Sequence, residues 1–332
     1  MAGAGIKAIK NRIASVNSTK QITNAMYLVA SSKLRKAKIA ADQSSEYFNT
    51  LYETIVEISM NTKGVNSDFL KERELKKRCH IVVAGNRGLA GGYNSNAFKE
   101  AEKYISPESD CVVTIGKKAF EYFSKRNIEI IDKIESVEKY DYEDVRKITE
   151  KLMNMFLNGE IDEVLFTYTQ FFSALSQEAK TIKILPLVFD VPLEYGSERY
   201  KEEIDIDDPD VYISEEILRE REEARRKEQE KAEEFANEMK GKMSATKSKV
   251  QYLPSAQKVL EFLIPTYISG TINGGIVESC ASEHGARMTA MESATDNANE
   301  MIKSLELSYN RARQSDVTQE ITEISAGVEA LK

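Results

Sequence analysis

Both ends of the chain carry apolar residues at heptad spacing, and that spacing restricts what they can form. At the front, Ile6, Ile9, Ile13 and Val16 stand three, four and three residues apart. A break in phase precedes Met26 and Val29, and the helical pattern then runs on to Leu51, Ile55 and Ile58. At the back, Met288, Met291, Ala298, Ile302, Leu305, Tyr309 and Ala312 repeat the spacing, and a phase shift hands over to Val317, Ile321, Ile324, Val328 and Leu331. So narrow a seam needs a second helix against it. The natural partner of one end is the other. Segments 1–62 and 255–332 are therefore expected to form a long antiparallel coiled coil. The front segment has no proline, and no glycine between Gly5 and Gly64. As one helix it would reach roughly 80–90 Å, too long for a body of this size to bury.

Between the ends the pattern changes to α/β. Cys79 to Ala84 and Cys111 to Ile115 read as short buried strands ending at Gly85 and Gly116. Helices are expected over 95–105, 117–126 and 142–158, the last with Leu152, Met155 and Phe156 on one face, and further strands over Glu163–Phe171 and Glu178–Leu187. This alternation predicts a Rossmann-like α/β domain over 76–193, with parallel strands covered by helices. Pro265, Gly270, Gly274 and Gly275 fall early in the last helix and predict a bend or break there.

The first strand leads into Gly85-Asn86-Arg87-Gly88-Leu89-Ala90-Gly91-Gly92, the usual place for a phosphate loop. The detail does not fit one. A Walker loop needs Lys-Ser/Thr after its last glycine, where Tyr93-Asn94 stand. A dinucleotide loop needs GxGxxG and an acid after the second strand, where Lys117-Lys118 stand. Gly85, Gly88, Gly91 and Gly92 are read instead as a tight structural turn. His80 and His284 have no second ligand at metal spacing, and no serine has a nucleophile-elbow context. Neither a catalytic group, a cofactor site nor a metal site is expected, so the chain works by contact or by movement.

A net charge of −8 argues against nucleic acid as the main partner. The charge is uneven: residues 1–41 carry Lys7, Lys10, Arg12, Lys20, Lys33, Arg35, Lys36 and Lys38 and no acid. Cys79, Cys111 and Cys280 are far apart in sequence and read as buried thiols in a reducing compartment. No apolar run approaches the ~18 residues of a membrane span. The start reads as a structural helix rather than a leader, and the expected location is the cytoplasm. Residues 194–250 form a charged insertion with a helix expected over 214–243, supported by Glu215/Arg219, Glu222/Arg226 and Glu223/Lys227. It is either a solvated helix or a contact arm. In the C-terminal heptads, Arg313, Gln314 and Thr318 share one surface and offer a guanidinium fork and neutral hydrogen bonds to a partner.

Three stretches carry a family resemblance. Lys20-Gln21-Ile22-Thr23-Asn24-Ala25-Met26, followed by Val29-Ala30-Ser31-Ser32-Lys33-Leu34-Arg35, resembles the N-terminal signature of F-type ATP synthase gamma subunits. Arg87-Gly88-Leu89-Ala90-Gly91-Gly92-Tyr93-Asn94 is similar to that family's RGLCGG-type turn, with Ala90 where Cys is common. Ala286-Arg287-Met288-Thr289-Ala290-Met291 and Ala294-Thr295-Asp296-Asn297-Ala298 resemble its C-terminal signature, as do Tyr309-Asn310-Arg311-Ala312-Arg313-Gln314 and Ile321-Thr322-Glu323-Ile324. The resemblance implies a shaft inside a ring of three alpha and three beta subunits. Its α/β foot meets the epsilon subunit and the ring of membrane c subunits. Ion flow turns the c ring, the shaft turns with it, and nucleotide chemistry stays on alpha and beta. Beta-subunit contacts are implied for Lys20, Met26, Lys33, Arg35, Lys36, Arg287, Arg313, Gln314 and Thr318. The implied setting is a bacterial chain, peripheral on the cytoplasmic side of the cell membrane. Without the resemblance, a coiled-coil scaffold is the next reading and an enzyme using the Gly85–Gly92 loop the third.

The family often has a short link where this chain has 194–249, so that segment is expected to touch the stator or epsilon and damp ATP hydrolysis. Deleting 199–248 should then raise hydrolysis in the purified complex; unchanged hydrolysis and coupling would remove the idea.

Overall fold

The computed structural model describes residues 2–61, 67–71, 73–187, 226, 252, 253 and 255–330. Apart from Arg226, the charged insertion and its expected helix lie outside the described residues. In chain order the elements are α1 (Ala2–Asn61), a 3-10 turn (Asp68–Leu70), β1 (Arg78–Val83), α2 (Tyr93–Glu102) and β2 (Cys111–Ile115). There follow α3 (Lys117–Phe123), β3 (Glu129–Ile134), α4 (Tyr142–Leu157), β4 (Glu163–Phe171), β5 (Gln177–Leu185) and α5 (Ala256–Ala330). The chain forms two compact units, Met1–Ser32 with Arg287–Lys332, and Lys33–Ala286.

The first unit is the antiparallel helix pair. On α1 the less exposed residues up to Ala30 are Ile6, Ile9, Ile13, Val16, Lys20, Thr23, Met26, Tyr27 and Ala30, and with Met26 flanking Tyr27 the rest keep an alternation of three and four. The expected break in phase before Met26 is therefore absent. Lys20 and Thr23 hold seam positions, which is why an apolar count loses the register there. Val29, expected in the seam, is 57% exposed. On α5 the seam runs through Met291, Thr295, Ala298, Ile302, Leu305, Tyr309, Ala312 and Asp316. The two strips meet where the Thr23 and Thr295 hydroxyls stand 2.7 Å apart. Further on, Lys10 and Ile13 line one recess with Glu306, Tyr309 and Asn310, so the helices run in opposite directions. A polar pair inside an apolar seam favours this register, and each hydroxyl also has an acceptor in its own helix, the Lys20 carbonyl for Thr23 and the Met291 carbonyl for Thr295. Past Asp316, α5 outruns the start of α1. Val317, Ile321 and Ile324 are consequently 49%, 60% and 68% exposed, not in a shifted seam.

The second unit holds a five-stranded sheet in the order β3-β2-β1-β4-β5. β1 pairs parallel with β2 and β4, β2 pairs parallel with β3, and β5 is an antiparallel edge. β3 is additional to the strands expected from the sequence. One face packs Ile81, Val83, Val113 and Ile115 against Leu152 and Phe156 of α4, Ile55 and Ile58 of α1, and Ile264, Ile268 and Ile276 of α5. The other packs Val82, Ala84 and Val112 against Phe98 of α2 and Phe123 of α3. Burial on both faces explains the continuous apolar runs of β1 and β2. On α4, Met153 is buried and Met155 only half-buried.

Cys79 and Cys111, distant in sequence, are register partners on β1 and β2 and fully buried. Contact with Cys111 and then burial push the Cys79 thiol well above its usual range, which keeps it a proton-bearing core residue. His80 is also fully buried. Its Nε2 lies 3.2 Å from Asp110 Oδ2, and burial pushes it toward the neutral form. Asp110 additionally accepts the backbone N–H groups of Arg78 and Ser106. Among the described residues no group of three or more His, Cys, Asp or Glu could hold a metal ion.

The expected break in the last helix does not occur: α5 is continuous from Ala256 through Pro265 to Ala330. Its Gly275 serves packing. A Cβ there would stand 2.3 Å from Phe166 Cε1 on β4. Gly275→Val should cost about 1–3 kcal/mol of stability by overpacking. The check is the urea midpoint of the purified chain; an unchanged midpoint would show that Phe166 simply swings away.

Candidate functional site

In an open sheet of this order, ligands bind in the crevice beyond the carboxyl ends of the strands, where the connections diverge to either side. Here that place lies beyond β1 and β4. Pairing of β1 with β4 ends at Val82 and Thr167. Beyond it, the β4 backbone is met by α5: the Thr169 N–H donates to the Ser279 hydroxyl at 2.9 Å, and the Ser282 hydroxyl donates to the Thr169 carbonyl at 3.1 Å. Two serines thus occupy the hydrogen-bonding edge that a neighbouring strand would cover. One turn on, the Glu283 carboxyl group lies against the β1 terminus. A Cβ on Gly85 would stand 2.8 Å from its Cδ. Glu283 is 1% exposed and Tyr93 4%. Burial, and next the charge of Glu283, push the Tyr93 phenol well above its usual range. A carboxyl group fills the position that would have to receive an anionic phosphate.

The glycine-rich turn is shaped accordingly. The Gly85 N–H donates to Asn94 Oδ1 at 2.8 Å, and the Asn94 amide donates to the Arg87 carbonyl at 3.2 Å. Gly85 leaves room for the Glu283 carboxyl group where a Cβ would push it aside. Gly91 takes φ +54°, where glycine carries no Cβ penalty, but Leu89 takes φ +61° as well. Gly92 caps α2 at φ −82°. Gly88 has open space where a Cβ would be. Glycine is thus favoured at Gly91 by its backbone conformation and at Gly85 by the Glu283 carboxyl group, and neither reason applies at Gly88 or Gly92.

The residues implied as contacts fall in three settings. Arg35, Lys36, Arg313, Gln314 and Thr318 are exposed, and Thr318 donates its hydroxyl to the Gln314 carbonyl at 2.8 Å. Arg313 lies on the same side of α5 as the exposed Val317 and Ile324. Lys20 and Met26 are half-buried at the seam. Lys33 and Arg287 are engaged within the chain: Lys33 Nζ lies 2.7 Å from Glu138 Oε2, and Arg287 is 8% exposed. The sequence reading missed Glu138, Ser279, Ser282 and Glu283. A signal for two of them existed, because Gly275, Ser279, Ser282 and Gly285 form a stripe of small residues at helical spacing.

Ser279→Ala leaves the buried Thr169 N–H without its acceptor, at an expected cost of about 1–3 kcal/mol. Thermal unfolding of the purified chain checks this; a midpoint matching the unaltered protein would show that the crevice is not held by this bond.

Comparison with known proteins agrees with this geometry. The family model described as ATP synthase matches residues 5–331. A gamma chain of Acetobacterium woodii, named as sodium ion specific, is 39% identical over 329 residues, covering 98% of both chains. The gamma chain of Alkaliphilus metalliredigens is 38% identical over 332 residues, covering 99% of this chain and all of its own. Residues 194–249 fall inside both matched spans. A chain of the Euglena gracilis mitochondrial ATP synthase has the same fold, with a TM-score of 0.58, 13% identity, and coverage of 99% of this chain and 95% of that one. The chain belongs to the ATP synthase gamma-chain family, the non-catalytic central stalk of the F1 rotary motor.

Proposed function

We propose that this stalk stands in a ring of three alpha and three beta subunits, with its α/β body against epsilon and the c ring. Ion flow turns the c ring, the stalk turns with it, and its uneven sides hold each catalytic site open, loose or tight in turn. The observation that carries this reading is the long helix pair whose outer faces bear cations, neutral hydrogen-bonding groups and an apolar tip. Such a surface makes many modest contacts. A rotor needs that, because one strong contact would stall it at the next position.

On this reading Arg35 and Lys36 meet acidic groups on beta. Arg313, Gln314 and Thr318 catch polar groups near the tip, with Val317, Ile321 and Ile324 beside them. Met26 is a neutral, adaptable contact. Lys20 and Arg287 act mainly by holding the helices in register, since both are partly or largely covered. Lys33 reaches beta only when it leaves Glu138. Segments 1–62 and 255–332 are the shaft, 76–193 is the foot, and 194–250 is the arm. Among the described residues no helix is long and apolar enough to cross a membrane. Attachment to the cytoplasmic side of a bacterial cell membrane then comes through the c ring, which also sets whether protons or sodium ions drive the motor.

The test is stoichiometry. Affinity purification through this chain should bring down alpha and beta at one copy per three of each, counted by quantitative mass spectrometry. Recovery of the chain alone, or at equal stoichiometry, would overturn the proposal.

A further inference from the structure

The short loop between β3 and α4 touches more of the second unit than its length suggests. Glu138 places Oε2 2.7 Å from Lys33 Nζ on α1 and Oε1 3.7 Å from His284 Nε2 on α5. Two residues on, the Tyr140 hydroxyl donates to Asn273 Oδ1 on α5 at 2.8 Å. Toward the sheet, Ser136 Oγ accepts from the Asn86 amide at 2.9 Å, and the Val137 N–H donates to Asn86 Oδ1 at 3.2 Å. Val137 itself is 1% exposed and packs at Gly116, where a Cβ would stand 2.8 Å from its Cγ2.

One loop therefore ties the turn after β1, helix α1 and helix α5 together. Lys33 is the first residue of the second unit, and His284 lies two residues before its last, Ala286. The contacts thus sit where both helices enter the α/β body. Each is modest alone. Their value lies in their spread: Asn273 and His284 share one face of α5 about three turns apart, and Lys33 is on the other helix. Rotating α5 against the sheet would have to break both of its contacts, and rotating α1 would have to open the Lys33 pair.

We propose that residues 136–140 are the clamp through which the α/β body grips both long helices, with Glu138 and Tyr140 as its positioning residues. This rests on the rotor reading. The clamp carries torque between body and helices, while the apolar core beneath carries their stability.

The experiment uses the assembled complex, with a probe fixed to the exposed side of α2 and the catalytic ring locked by a non-hydrolysable nucleotide. Angular fluctuation of the probe reports torsional stiffness. Glu138→Gln combined with Tyr140→Phe should widen the angular variance by about twofold or more. Unloaded ATP hydrolysis should stay near that of the unaltered complex. Lys139→Ala, which removes the exposed neighbour, should leave the variance unchanged. An unchanged variance in the double variant, or an equal widening in Lys139→Ala, would overturn the clamp. If the double variant does not assemble, Glu138→Gln alone is measured, and an unchanged variance there also overturns it. An unaltered complex that assembles but does not rotate would instead overturn the rotor reading.

Discussion

The structure depends on the close approach of α5 to the ends of β1 and β4. A helix normally packs on a sheet at the distance its side chains impose. Here Gly275 removes that spacing beside Phe166. Ser279 and Ser282 replace it with bonds to the Thr169 backbone, and Glu283 reaches the glycine at the β1 terminus. Small side chains bring the helix in, and hydroxyls satisfy the edge that the approach would otherwise bury unpaired. The same set of residues both anchors the helix and occupies the crevice where this sheet order usually holds a ligand.

That anchoring gives the long helices a root. A two-helix seam has little hydrophobic depth: most seam residues of the first unit are only half-buried. Its register is favoured by specific pairs, such as Thr23 with Thr295. The second unit differs, since Ile55 and Ile58 of α1 and Ile264, Ile268 and Ile276 of α5 are buried to 2% exposure or less. Complete burial of an Ile is worth about 1.5–3 kcal/mol, so a handful of such residues fixes each helix firmly to the body. The outer stretch can then spend its surface on contacts with a surrounding partner.

Much of this was legible in the sequence, and the failures have physical causes. β1, β2 and β4 are buried on both faces and were marked to within a residue, β1 and β2 by short, largely apolar runs and β4 by its β-branched and aromatic residues. β3 is an edge strand, Glu129-Ile130-Ile131-Asp132-Lys133-Ile134, with half of its residues charged. It shows neither alternation nor an apolar run. The seam of α1 was lost at Lys20 and Thr23 because an apolar count is blind to a lysine stem or a threonine methyl in a heptad position. The early glycines of α5 were read by propensity as weakness, although Gly275, in one stripe with Ser279 and Ser282, encodes packing while Gly274 faces open space. Propensity describes a helix in water, and this one lies against a sheet. Glu138 carried no local signal at all, because its partners Lys33 and His284 are distant in sequence.

The engagement of Lys33 bears on how charge at the base of the shaft should be understood. The first helix carries an excess of cations, and from sequence alone each is an equal candidate for an acidic partner. Their surroundings divide them. Arg35 and Lys36 are exposed, Lys20 has its stem at the seam, and Lys33 is neutralised by a carboxylate 2.7 Å away. A cation already paired inside the chain adds little net attraction to a passing carboxylate, because a new pair forms only as the old one opens. Glu138 therefore lowers the effective charge of the shaft at one azimuth and leaves it intact at others. An internal ion pair of this kind makes the faces of the stalk differ without changing the helix.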